Sequence, residues 1–348
     1  MQSTRPTAEA NSTEPPTGDL AIEAENVHVT YADGTEAVRG VDLAVGAGEF
    51  FGFLGPNGAG KTTTIKTLVT LLHPTRGAVR IDGHDTTEEP QAVRESIGYM
   101  AQETSVDEEL TARENVRYTC EVYGVPKGER DDRIAELLEL VGLDEVADRR
   151  AETFSGGMKK RLDAATVLVH RPPVVFLDEP TTGLDPEARL RFWEYLRSIN
   201  ARGTTVFLTT QYLEEVDRLC DRLALLQDGE VVTTDTPAAL KSAVGGDLLD
   251  VTLVDAADRE RATRAVYRSD AFEDPTVEPT DDGLAITAEN ARDGIGDLFR
   301  ALDEAGVAVT GFDVRSPTLD DVFLRLTDDE LESETDADDA TRKLEVAR

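Results

Sequence analysis

The residues Gly55-Pro56-Asn57-Gly58-Ala59-Gly60-Lys61-Thr62 fill the pattern G-x-x-x-x-G-K-[ST], a spacing suited to holding phosphate. Its glycines let backbone N–H groups turn inward around a triphosphate with no Cβ in the way. The Lys61 ammonium would reach the β- and γ-phosphates, and the Thr62 hydroxyl would ligate Mg²⁺. The run Glu49-Phe50-Phe51-Gly52-Phe53-Leu54 before it reads as a buried strand. Thr63 to Leu72 after it reads as a helix, ended by His73-Pro74. Strand, loop and helix in that order are the context the motif needs, and the new helix offers free amides and a positive dipole end to the same charge. The chain is predicted to bind a nucleotide.

Three further motifs say what the nucleotide is for. Ser155, in Phe154-Ser155-Gly156-Gly157-Met158, lies 93 residues past Thr62 and opens a helical stretch. Val174-Val175-Phe176-Leu177 then gives four apolar positions ending in Asp178 and Glu179, followed by Gly183-Leu184-Asp185-Pro186. Four apolar residues in a row fit a strand buried on both faces of a parallel sheet. Ligands of open α/β sheets gather at the C-terminal ends of such strands, so Asp178 and Glu179 should emerge beside the phosphates. In this order and spacing the set resembles the ATP-binding subunit of an ABC transporter over roughly residues 20 to 240. The resemblance implies an α/β, P-loop NTPase fold: a parallel-sheet core, an antiparallel β subdomain and a helical subdomain.

It also implies roles. Asp178 holds Mg²⁺, Glu179 is the base that polarises the attacking water, and Gln102, 41 residues after Lys61, reaches both metal and water. Tyr31 stacks on adenine, and Thr63 joins Gly55 to Thr62 in the nucleotide-binding set. Ser155, Gly156 and Gly157 cap the γ-phosphate of an ATP held by a second copy of the chain, a helix N-terminus aimed at an anion. Asp185 crosses that interface. One set of motifs therefore implies a head-to-tail homodimer with two ATP sites. Most relatives carry histidine where this chain has Gln211; a glutamine amide can donate a hydrogen bond but carries no proton or charge.

Gln211-Tyr212-Leu213-Glu214-Glu215 and Ser316-Pro317-Thr318-Leu319-Asp320-Asp321-Val322-Phe323-Leu324 look like the drug-resistance branch typified by daunorubicin-export ATPases. That branch pairs with a separate membrane permease of the ABC-2 type and exports. The alternative is a soluble ABC ATPase working on ribosomes or DNA. The 93-residue spacing leaves no room for the long coiled coil of chromosome-organising relatives, and ribosome-acting ones usually carry two ATPase domains where one set of motifs is found here.

Composition supplies the setting. The chain has 70 acidic residues against 36 basic ones and a net charge of −34. Such a balance argues against a nucleic-acid partner, which needs a basic footprint. The acids are spread along the chain and only 7 of the 36 basic residues are lysine, as expected of a halophile's protein kept soluble where salt screens self-repulsion. Cys120 and Cys220 have no metal-ligand spacing and read as ordinary residues of a reducing compartment. No run approaches the ~18 apolar residues of a membrane span, and Met1 to Leu20 has no apolar signal core. The expected place is the cytoplasmic face of the cell membrane, reached only through the permease.

The expected organisation is a disordered tail over 1–19, the ATPase domain over 20–240 with its helical subdomain at about 103–170, a C-terminal α+β domain over 247–327, and a charged disordered tail over 328–348. Asp228-Gly229 is a candidate hairpin turn. The C-terminal domain has no motif that carries chemistry.

Overall fold

The computed structural model describes residues 18–243, 246–289 and 291–323. Apart from Gly18 and Asp19, the two expected tails lie outside the described residues, as does Leu324 of the C-terminal motif. The chain divides into two compact units, one ending at Thr236 and the other starting at Pro237.

The first unit opens with β1 (Leu20–Thr30), β2 (Glu36–Gly46) and β3 (Phe50–Leu54), then α1 (Lys61–Leu68), β4 (Arg76–Ile81) and β5 (His84–Asp85). There follow α2 (Pro90–Ser96), β6 (Ile97–Met100), α3 (Ala112–Val122), α4 (Arg130–Leu140), α5 (Gly156–Val167) and β7 (Val174–Asp178). The unit closes with α6 (Pro186–Asn200), β8 (Thr205–Thr210), α7 (Leu213–Leu219), β9 (Arg222–Gln227) and β10 (Glu230–Asp235). One sheet, in the order β2-β1-β4-β5, is antiparallel. The other runs β10-β9-β3-β8-β7-β6 and is parallel except for β10. Every residue of β3, β7 and β8 is buried, as strands covered on both faces require. The β9–β10 turn places Asp228 (φ 47°) and Gly229 (φ 85°) both in the left-handed region, which the tight hairpin turn demands. Both cysteines are free and buried, and Cys220 packs where a side chain on Gly52 would come within 2.9 Å of its sulfur.

Helix α1 departs from expectation at both ends. It starts at Lys61 because Gly60 takes φ 106° and serves as its N-cap. It stops well before His73-Pro74, because Thr70 turns left-handed at φ 65°. There Leu71 N–H bonds Lys66 O (2.8 Å) and Thr70 N–H bonds Thr67 O (3.3 Å), the paired closure that ordinarily uses glycine. The Thr70 hydroxyl accepts from Arg94 Nε at 2.9 Å, which helps hold this β-branched residue in place.

The second unit contains α8 (Pro237–Ala243), β11 (Asp247–Leu253), α9 (Arg259–Arg268), β12 (Thr276–Pro279), β13 (Gly283–Ala288), α10 (Ala291–Glu304) and β14 (Val309–Arg315). Its antiparallel sheet runs β12-β13-β11-β14, and side chains of α9 and α10 complete a core with Leu249, Val251, Leu284 and Ile286. This is the expected α+β architecture. Among the described residues no helix is long and apolar enough to cross a membrane.

The Ser316–Phe323 motif is a structural lock in this unit. Arg315 grips Asp321 through two hydrogen bonds of 2.6 and 2.9 Å. Thr318 N–H (2.8 Å) and Oγ1 (2.7 Å) donate to the same carboxylate, while Leu319 and Val322 are buried. The Arg315 guanidinium, with the Thr318 donors, holds the Asp321 carboxyl down to about 2. Since the unfolded carboxyl titrates near ~3.9, this stabilisation is complete above about pH 4 and is lost as pH falls toward 2. Asp321→Asn should therefore lower stability by about 1–3 kcal/mol near neutral pH. In denaturant unfolding of the full chain, the gap between variant and parent should narrow as the pH falls through that window.

Candidate active site

The loop between β3 and α1 is closed by backbone packing that admits no side chain at two glycines. A Cβ on Gly55 would lie 2.3 Å from Leu226 O, and one on Gly60 2.4 Å from Ala37 O. Gly58 and Gly60 hold φ of 89° and 106°, open to glycine and strained for other residues. Ala59 is buried and its carbonyl takes Gly229 N–H at 2.9 Å, while Pro56, Asn57 and Gly58 are exposed. The Lys61 side chain, only 5% exposed, folds back over the loop and donates to Gly55 O (2.7 Å) and Pro56 O (3.0 Å). Thr62 and Thr63 are half-buried on the first turn of α1, where the amide hydrogens have no helical acceptor.

The parallel register brings the other groups to the same edge. Thr210 at the end of β8 pairs with Leu54, next to Gly55, and Thr209 pairs with Asp178 at the end of β7. Thr209 is fully buried and its hydroxyl donates to Asp178 Oδ1 at 2.5 Å. Glu179 then breaks out of the strand at φ 49°, a conformation an L-residue keeps only when its surroundings impose it. Here Glu179 N–H is anchored on Thr209 O at 3.0 Å. That bend puts the Glu179 carboxylate 3.9 Å from Lys61 Nζ and 3.2 Å from Gln102 Nε2. Burial pulls the Lys61 pKa down, and the carboxylates of Glu179 and Asp178 oppose that pull. Lys61, Gln102, Asp178 and Glu179 thus form one cluster at the C-terminal ends of β3, β6 and β7, where ligands of open α/β sheets bind.

The remaining candidates surround or stand apart from it. Tyr31, just past β1, is 41% exposed, and its hydroxyl lies 3.0 Å from Thr63 Oγ1. Gln211 is exposed, one residue beyond β8. Ser155 caps α5, its hydroxyl accepting from Met158 N–H at 3.3 Å. Asp185 caps α6 through Ala188 N–H at 2.8 Å. These two helix starts adjoin, since a Cβ on Gly157 would lie 3.3 Å from the Ala188 Cβ; Gly156 is exposed beside it. Among the described residues, no hydrogen bond or ion pair joins Ser155, Gly156 or Gly157 to Lys61, Asp178 or Glu179. Sequence reasoning missed Thr209, whose signal was a hydroxyl pair closing an otherwise apolar strand. It also missed Lys160, which donates to the Gln102 carbonyl at 2.7 Å and left no local signal.

A glycine loop on a helix start, with a buried lysine and two carboxylates at neighbouring strand ends, defines a P-loop ATPase. Residues 38–182 match the family model described as ABC transporter, and residues 236–327 match that of the ATP-binding protein DrrA1-3-like, C-terminal domain. The chain is 43% identical over 309 residues to the daunorubicin/doxorubicin resistance ATP-binding protein DrrA of Streptomyces peucetius, covering 88% of this chain and 92% of that one. It is 35% identical over 306 residues to the linearmycin resistance ATP-binding protein LnrL of Bacillus subtilis, covering 88% and 98%. It is 37% identical over 314 residues to the Nod factor export ATP-binding protein I of Burkholderia orbicola, covering 89% and 98%. Among solved structures, an ATP-binding subunit of an ABC transporter superposes with TM-score 0.59 at 30% identity, covering 65% of this chain and 93% of that chain. An ATP-binding cassette solved as a dimer with ADP and Pi gives 0.57 at 30%, covering 62% and 98%. The chain belongs to the ABC transporter ATP-binding proteins, in their DrrA-like branch, and it is an ATPase.

Proposed function

We propose that this chain powers an exporter, hydrolysing MgATP at the interface of a head-to-tail homodimer that sits on a separate ABC-2 type permease at the cytoplasmic face of the cell membrane. The observation that carries the reading is the Lys61–Glu179–Gln102 cluster beside a loop whose Gly55 and Gly60 leave no room for a Cβ. Backbone N–H groups of Gly58 to Thr62 and the Lys61 ammonium bind the phosphates. Thr63 lies beside them, and Tyr31, held against it, stacks on adenine. The Thr62 hydroxyl, the Asp178 carboxylate and the Gln102 amide oxygen would hold Mg²⁺, an all-oxygen set that suits it, and the ion would supply charge neutralisation to the phosphates. Glu179 takes a proton from the attacking water while Gln102 orients it. Gln211 donates to the γ-phosphate as a neutral amide, giving up the charge a histidine would bring.

Ser155, Gly156 and Gly157 stand apart from Lys61 and Glu179 in their own chain because they serve the ATP of the other copy, and Asp185 sits at the same interface. The resistance and export functions carried in the relatives' names support export here. Uniform acidity with few lysines supports a high-salt cytoplasm. Affinity purification of the Glu179→Gln chain from its own membranes, in high salt with ATP and Mg²⁺, tests the reading. A multi-span membrane protein should come with it in stoichiometric amount. A ribosome or nucleic-acid complex with no membrane protein would replace the transport reading with the soluble one.

A further inference from the structure

The segment that follows Gln102 lies along α5 and is tied to it at three points. Lys160 Nζ donates to the Gln102 carbonyl at 2.7 Å. Ser105 donates to Asp163 Oδ1 through both its hydroxyl and its N–H, the latter at 3.3 Å. Lys159 pairs with Glu108. The third tie ends on a carboxylate 55% exposed and contributes little. The first two are of another kind. Lys160 and Asp163 stand three residues apart, on one face of the helix. Asp163 is 1% exposed, and its second oxygen is buried with no hydrogen-bond partner among the described residues. A carboxylate in that position costs free energy, and burial accordingly raises its pKa while Lys160 and Ser105 offset part of the rise. Burial also lowers the Lys160 pKa, opposed by Asp163, Asp178 and Glu179. A helix that only had to pack against a loop could do so with apolar residues at both positions.

We propose that Lys160 and Asp163 are positioning residues that lock the Gln102–Ser105 segment to α5, so that Gln102 at one ATP and Ser155-Gly156-Gly157 at the other move as one piece. The inference rests on the homodimer reading above, in which the two ends of this rigid piece face different nucleotides. Its consequence is that occupancy of one site, felt by Gln102, sets the position of the α5 N-terminus at the second. The coupling runs through the main chain of Gln102 and the Ser105 side chain, and Lys160 never touches the nucleotide.

The test is steady-state ATPase of the full chain in high salt, reading kcat, KM and the Hill coefficient for ATP. Lys160→Met should lower kcat about tenfold, less than the ~10²-fold that outright misplacement of a reacting group costs, with KM changed by less than about threefold. Its Hill coefficient should fall from about 2 toward about 1 as the two sites uncouple, and Lys160→Arg, which restores a donor, should recover most of both. Ser105→Ala, at an exposed loop position, should lower the Hill coefficient in the same way even where a variant within α5 folds poorly. A cooperative parent with equally cooperative Lys160→Met and Ser105→Ala would overturn the lock while leaving the homodimer intact. A parent with a Hill coefficient of one and no ATP-dependent dimer of Glu179→Gln would overturn both.

Discussion

Glu179→Gln should bind ATP at least as tightly as the parent and hydrolyse it about 10²–10⁴-fold more slowly, the range that loss of a general base costs. The substitution is close to isosteric, so the bend at φ 49° and its anchor on Thr209 O remain available to it. The amide oxygen can still accept from Gln102 Nε2, which now sits 3.2 Å from the carboxylate. What disappears is the capacity to take a proton. Among the described residues that touch its carboxylate none replaces it: Gln102 is an amide, Lys61 a cation and Thr182 a hydroxyl, while Asp178 beside it accepts from Thr209. Binding should hold or improve because one negative charge leaves the vicinity of a triphosphate, a contribution of like-charge repulsion that salt screens poorly at a side chain 11% exposed. Equilibrium binding of labelled ATP alongside single-turnover hydrolysis separates the two effects. Turnover within threefold of the parent would remove Glu179 from the chemistry and leave the site without a base.

Much of this site was legible because its chemistry demands contiguous residues. A loop that wraps phosphate needs its glycines at fixed offsets, and a buried parallel strand ending in acids announces both the sheet and the site edge. The Asp228-Gly229 turn was equally plain, since few other residue pairs adopt two left-handed conformations in succession. The unread features depend on partners distant in the chain. Thr70 closes α1 in a left-handed conformation that a β-branched residue disfavours, so nothing local marks the stop, and its support comes from Arg94, 24 residues on. Strand β12 is four residues long, mostly exposed and ends in Pro279, so it shows no alternation and exists only by pairing with β13. Lys160 and Asp163 read as the ordinary charged face of a helix. Only the fold brings the Gln102 carbonyl and Ser105 to them, 58 residues earlier in the chain.

Lys61→Met should weaken ATP binding about 10²–10³-fold, as expected for removing a charge-assisted donor that is itself buried, 5% exposed, and turnover should fall with it. In the structure that ammonium donates to the loop's own carbonyls, Gly55 O and Pro56 O, and faces Glu179 at 3.9 Å. Two explanations account for a buried lysine there. As a structural plug it would satisfy the carbonyls, and its loss would cost stability, about 1–3 kcal/mol for buried acceptors left without a donor, while ATP affinity stayed within a few-fold. As a phosphate ligand it would leave those carbonyls for the triphosphate, and affinity would collapse whatever happened to the fold. The buried position already favours the second, because desolvation lowers the Lys61 pKa and a cation held at such a cost gains most from an incoming anion. Lys61→Arg should not restore binding, since a planar guanidinium is too broad for a space set by two carbonyls and cannot act as a compact point charge. Calorimetric ATP titration in high salt, paired with thermal unfolding of the same samples, decides between them: lost stability with affinity retained within threefold would make Lys61 the loop's plug, and lost affinity with the fold intact would make it the phosphate's counter-ion.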